Sequence, residues 1–104
     1  MPYKAINMAI IKFKGPEYFS QGDERALFEW LTRLKCVREV GGTGPYTEIR
    51  LRRSRLSNDD FRELLAIFHR YGIDKRVLRP FARKEMKWVW NRTAYWYHGL
   101  FETK

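Results

Sequence analysis

Few residues of this 104-residue chain are of types that do chemistry: Cys36, His69, His98 and a large supply of arginine. Two histidines beside a cation are the parts of a metal-free ribonuclease, with one as base, one as acid and the cation stabilising the phosphorane. That chemistry requires the fold to bring His69, His98 and an arginine together, and nothing in their spacing demands it. One cysteine and two histidines do not make a ligand set with zinc-like spacing. No nucleophile elbow is present. The glycine-rich GGTGP (41–45) lacks the GxxxxGK[ST] spacing of a phosphate loop, and no helix opens directly after it, so it reads as a hairpin loop. His69 reads as a partner of a helix dipole. The sequence thus predicts no catalytic residue, no metal site and no cofactor.

Two other features carry binding chemistry. The first is RLRRSR (50–55), the densest charge run. Arg50 and Arg52 are expected on the solvent face of a strand, with Arg53 and Arg55 toward its end. A solvated edge protected by charge is the plain reading; guanidinium forks that suit phosphates and carboxylates are the functional one. The second is KWVWNRTAYWYHGLF (87–101), where six of fifteen residues are aromatic and Lys87, Arg92 and His98 lie among them. Rings at the end of a small fold usually close its core. Rings with interspersed cations also suit a stacking platform for bases or a protein interface. Most of these rings are expected in the core and one or two outside. The candidate contact residues are Arg50, Arg52, Arg53, Arg55, Trp88, Trp90, Arg92, Tyr95 and Tyr97.

Composition narrows the partner. The net charge is +9, and it is uneven: residues 1–49 hold seven Lys/Arg against six Asp/Glu, and residues 50–104 fourteen against six. The excess predicts attraction to an acidic partner, and by charge alone nucleic acid, an acidic protein face and an anionic membrane all qualify. Aromatics at 16% argue against disorder. No run approaches the roughly 20 apolar residues that span a bilayer, so no membrane partner is expected. A lone Cys36 and no recognisable signal peptide point to the cytoplasm. The length suits one domain, 1–104.

The elements that must position these residues follow from periodicity. AINMAIIKF (5–13) reads as a strand covered on both faces. Residues 20–35 read as a helix with Leu27, Trp30, Leu31 and Leu34 on one face and either Ser20 or Asp23 as its cap. Segments 36–40 and 46–53 read as a hairpin, with Thr47, Ile49 and Leu51 on one side of the second strand. A second helix opens at the Ser57 cap, with Asp60 in the capping-box position and a Leu56–Phe61 staple, and stops at Gly72. Segment 75–82 reads as extended because of Pro80. For the tail, paired strands turning at Asn91-Arg92 and a short helix capped by Thr93 stand as alternatives. The sum is an α+β fold, a single-layer antiparallel sheet with two helices packed on one face, whose nearest named topology is ferredoxin-like, β-α-β-β-α-β.

FRELLAIFHRYGIDKRVLRPF followed by WVWNRTAYWYHGLF resembles a pattern in small uncharacterised bacterial proteins, some of them identified as immunity proteins of polymorphic or contact-dependent toxin systems. The resemblance covers residues 61–101 and rests on Phe68, Arg70, Tyr71, Ile73, Asp74, Leu78, Phe81, Trp90, Ala94, Tyr95, Trp96, Tyr97 and Phe101. It implies a non-enzymatic inhibitor that neutralises a cognate toxin by direct protein contact. Immunity proteins against nucleases are often acidic and this chain is basic, so its toxin would present an acidic face or a largely apolar contact. A basic RNA- or single-strand-binding module is the alternative that composition favours, although RNP-like, helix-turn-helix and zinc signatures are missing.

Overall fold

The computed structural model describes residues 9–102. Strand β1 (Ala9–Lys14) lies at one edge of a three-stranded antiparallel sheet, β3 (Tyr46–Leu51) in the centre and β2 (Val37–Thr43) at the other edge. Ala9 faces Leu51 and Phe13 faces Thr47 across the first pair. Ala9, Ile11 and Phe13 are buried while Ile10, Lys12 and Lys14 are exposed. The described part of this strand is therefore covered on one face only, which corrects the two-sided reading; residues 5–8 of that expectation lie outside the described residues. Tyr46 and Arg50 on β3 point away from Ile49 and Leu51, as the alternation predicts. Gly44, with φ of +61°, supplies the left-handed residue at the tip of the β2–β3 hairpin.

Helix α1 (Gln21–Arg33) is capped by Ser20, whose Oγ accepts the Asp23 amide at 3.0 Å. Of the two candidate caps it is the serine that serves; the Asp23 carboxylate instead accepts the Phe19 amide. Helix α2 (Asn58–Tyr71) takes its two ends as the sequence signals: Ser57 Oγ accepts the Asp60 amide at 3.1 Å, and Gly72 closes the helix with φ of +67°. The Asp60 carboxylate lies by Cys36 instead of completing a capping box. Leu56 and Phe61, the staple pair, are both buried. The two helices run antiparallel on the same face of the sheet, with the Tyr71 hydroxyl near the end of α2 donating to the Asp23 carbonyl at the start of α1. Leu27 and Leu31 of α1, and Leu64, Leu65 and Phe68 of α2, share one buried cluster with Ile11, Phe13, Ile49 and Leu51. Phe13 meets Phe68 edge-on at 5.1 Å.

The β-α-β-β-α order holds through α2, and after it the chain turns helical. Lys75–Phe81 is a 3-10 helix, which corrects the extended reading of 75–82. Asp74 starts it by accepting the Arg76 amide and clamping the Arg76 guanidinium at 2.7 Å, a local hydrogen-bond set that favours a turn over a strand. Pro80 near its end has the fixed φ that a 3-10 turn tolerates. This helix packs against β1 and α2, so the sixth, strand element of a ferredoxin-like chain is not formed by 75–82. The tail forms no strands either. Lys87–Trp90 is a second 3-10 helix and Tyr97–Phe101 a short α-helix, α3. A turn does occur at Asn91, whose Oδ1 accepts both the amide and hydroxyl of Thr93. Thr93 does not cap α3, which begins after Trp96.

Candidate functional site

The tail separates into rings that close the fold and rings that face out. Trp88 meets Phe61 edge-on at 5.9 Å and Trp96 at 5.5 Å, and its indole donates to Asn58 Oδ1 at 3.0 Å. The Arg62 guanidinium covers the remaining face at 4.1 Å. Trp96 donates to the Val89 carbonyl, and Tyr97 leans on Phe101 with Arg92 5.8 Å from its ring centre. All three rings are half-buried. Trp90 and Tyr95 are the outward members, 43% and 49% exposed. Trp90 is held flat on Phe101 at 4.2 Å while its indole donates to the Arg83 carbonyl. Tyr95 rests against the His69 ring at 4.6 Å.

The arginine run separates as well. Arg50 lies on the open face of the sheet, where Glu39 at 3.7 Å and Glu48 at 3.8 Å take up its charge. Strand β3 ends at Leu51, so Arg52, Arg53 and Arg55 stand beyond it. They line a recess of about 270 Å³ with Lys35, Cys36, Ser57 and Asp60, between the end of α1 and the start of α2. Arg52 Nε donates to the Lys35 carbonyl at 3.0 Å, which holds its fork at the rim. The structure thus brings together Arg52, Arg53 and Arg55 and leaves Arg50 elsewhere. A strand's alternation shows which residues face solvent, but not that Arg50 would meet two carboxylates across the sheet.

Arg55 joins this recess to the tail. Its guanidinium reaches Glu85 at 3.0 Å, Arg83 binds the same carboxylate oxygen at 3.0 Å, and the Arg83 carbonyl holds the Trp90 indole. Arg83 also donates to the Leu56 carbonyl at 2.8 Å. Glu85 is held below the ordinary carboxylate range by a hydrogen bond to its own backbone, then by Arg83 and Arg55. Lys35, Arg52, Arg53, Arg55, Arg83 and Trp90 therefore form one arc.

Cys36 lies at the back of the recess and is buried. Burial, reinforced by neighbouring Asp60, pushes its thiol up to about 12, so it stays protonated at neutral pH. The two histidines have separate partners: His69 lies against Tyr95 on α2, and His98 Nδ1 meets Glu102 at 2.7 Å on α3. Among the described residues no three His, Cys, Asp or Glu side chains stand close enough to hold a metal ion, and no helix is long and apolar enough to cross a membrane.

A second concavity lies over the outer face of α2. It is a groove of about 500 Å³ lined by Trp30, Ala66, His69, Arg70 and Tyr95. Trp30 reaches it from α1, its indole donating to Glu63 Oε1 at 2.7 Å and the Arg70 guanidinium 5.9 Å from its ring centre. Burial, then the Glu63 charge, raises the Tyr95 phenol above its ordinary value. The sequence places Trp30 in the apolar stripe of α1 and carries no sign that it would line one groove with Tyr95; Lys35, Arg83 and Glu85 also escape it, because their roles depend on distant partners.

No family model, curated protein or solved structure matches this chain.

Proposed function

We propose that the chain is a non-catalytic binding protein of the immunity type, which neutralises a partner toxin by direct contact through the arc from Lys35 to Trp90. The observation that carries this reading is the Arg55–Glu85–Arg83 junction. It makes the basic recess and the exposed Trp90 a single surface, and tryptophan and arginine are among the residues enriched at the hot spots of protein interfaces. The partner that fits presents carboxylates to the recess and an apolar patch to Trp90. Charge in the arc speeds encounter more than it deepens affinity. The test is co-expression with the product of an adjacent reading frame. That product is expected to be toxic alone and tolerated with this chain, and Arg52→Glu with Arg53→Glu is expected to slow association by roughly tenfold at low salt. An adjacent frame whose product is harmless, or toxic with no rescue, sinks the reading.

A second reading, a module for RNA or single-stranded DNA, is favoured by the groove between Trp30 and Tyr95, where rings and an arginine stand side by side. It predicts binding that weakens steeply with salt. Gel shifts that show no retardation of RNA or DNA at physiological salt eliminate it.

A further inference from the structure

The groove over α2 has a composition that selects its ligand. Glu63, Ala66 and Arg70 follow one another at three- and four-residue intervals and so share a stripe of the helix. Ala66 is the smallest residue of the stripe, and it leaves a floor between the Trp30 and Tyr95 rings. Trp30 has its N–H bonded to Glu63, so what it offers a ligand is ring surface. Tyr95 likewise presents a half-exposed ring, met by the His69 ring at 4.6 Å and edge-on by Trp96 at 5.0 Å. Both elements that hold the rings are anchored in the buried cluster, through Leu27 and Leu31 on α1 and through Val89 and Leu100 flanking the tail. The walls are therefore largely preformed, and the volume lies within the range of small-molecule sites.

The polar groups are placed around these rings. The Glu63 carboxylate stands beside Trp30, outside the groove lining itself; one of its oxygens accepts the indole N–H, and it retains acceptor capacity toward an amino group. The exposed Arg70 fork and His69 imidazole line the same groove and offer donors suited to an oxyanion. A flat ring with an exocyclic amine and a phosphate satisfies all three features. An aromatic side chain of a partner protein would meet the rings and leave Arg70 without an anion.

We propose that the groove between α1, α2 and the tail binds a nucleotide whose base carries an exocyclic amine, for which adenine is the probe, with the base against Trp30 and Tyr95, its amine toward Glu63 and its phosphate met by Arg70 and His69. This deepens the second reading by naming the ligand, and it stands independently of the toxin partner. The same chemistry is presented by a free nucleotide or by one residue of a single strand.

The experiment titrates the full chain with AMP, adenosine, inorganic phosphate and a short oligoadenylate, following the Trp30 indole and the Ala66 and His69 amides by NMR. AMP is expected to shift these signals saturably, adenosine to shift the same signals more weakly, and phosphate alone to leave the Trp30 indole in place. Arg70→Gln is expected to weaken AMP roughly tenfold, the equivalent of one charge-assisted hydrogen bond, and to leave adenosine unchanged. Ala66→Leu keeps a good helix former in α2, fills the floor, and is expected to remove binding of both with an unchanged unfolding midpoint. Oligoadenylate tighter than AMP assigns the site to a strand; oligoadenylate no tighter assigns it to a free nucleotide, even if gel shifts are blank. The proposal is overturned if AMP gives no saturable shift of the Trp30 indole, if its shifts map to the Lys35–Arg53 recess, if Arg70→Gln and Ala66→Leu bind AMP as the parent does, or if N-acetylphenylalanine amide competes equally with AMP.

Discussion

Arg55 and Glu85, thirty positions apart in sequence, meet at 3.0 Å. The contact fastens the end of the arginine run to the segment that carries the exposed Trp90. Both side chains are more than half exposed, so the bond organises a surface more than it stabilises the fold. A double-mutant cycle on Arg55→Ala and Glu85→Ala is expected to return a coupling in unfolding free energy no larger than the scatter of the measurement. The same variants are expected to change partner association, since Glu85 holds both Arg55 and Arg83. A coupling well above that bound would mean that the junction supports the fold itself.

The tail rings differ in what they do, and truncation separates them. Trp88→Ala removes a ring packed on Phe61 and Trp96 and leaves Asn58 without its donor, so a loss of about 3 kcal/mol is expected in urea unfolding. Tyr95→Ala removes an exposed ring and is expected to cost less than about 1 kcal/mol. Equal losses would contradict the division between inward and outward rings.

The ends of α2 make a sharper local test. Ser57→Ala deletes the acceptor for the Asp60 amide and is expected to cost about 1 kcal/mol. Gly72→Ala places a side chain at φ of +67°, where an L-residue is strained, at a further cost of about 1 kcal/mol. Nothing lies within 4 Å of the new methyl group, so strain alone accounts for the second loss.

Cys36 gives the fold an alkaline limit. Its folded value, about 12, lies above the ordinary 9.0, mainly through burial. Stability from keeping the thiol neutral is complete below pH 9.0 and is given up as pH rises from there toward 12. Tyr18 and Tyr71 are raised by burial too and act in the same direction. Cys36→Ala is expected to flatten the decline of the urea midpoint above pH 9.0 without abolishing it. A native thiol that alkylates as fast as a free one at about pH 8 would contradict this burial.

Asp74 sets an acid counterpart. Its hydrogen bonds to Arg76 hold it below the ordinary 3.8, so its contribution is present above that value and is lost as pH falls through its lowered folded pKa. Asp74→Ala also removes the acceptor at the start of the Lys75–Phe81 helix. The expected result is a lower midpoint at neutral pH and a weaker dependence on pH below 3.8. A variant with the parent's acid profile would show that the clamp is energetically idle.

The sequence by itself determined what depends on near neighbours. The Ser57 cap and the Gly72 stop are interactions within a few residues, and the structure forms both as read, with Leu56 and Phe61 of the staple both buried. The alternation of Thr47, Ile49 and Leu51 and the two-helices-on-one-sheet arrangement were legible because burial periodicity follows backbone geometry. Where local signals competed, tertiary packing decided. Trp88 and Trp90 alternate as strand residues would, yet Phe61 receives one and Phe101 the other. Segment 75–82 reads as extended from Pro80, and it is helical because Asp74 clamps Arg76 and Leu78 enters the core. The candidate surfaces lay furthest from local rules. Arg50 and Arg55 are five positions apart, but one ends against Glu39 and Glu48 and the other against Glu85. Charge periodicity reports which residues face water; only the folded chain sets which carboxylate or ring lies across from them, because those partners come from distant parts of the sequence.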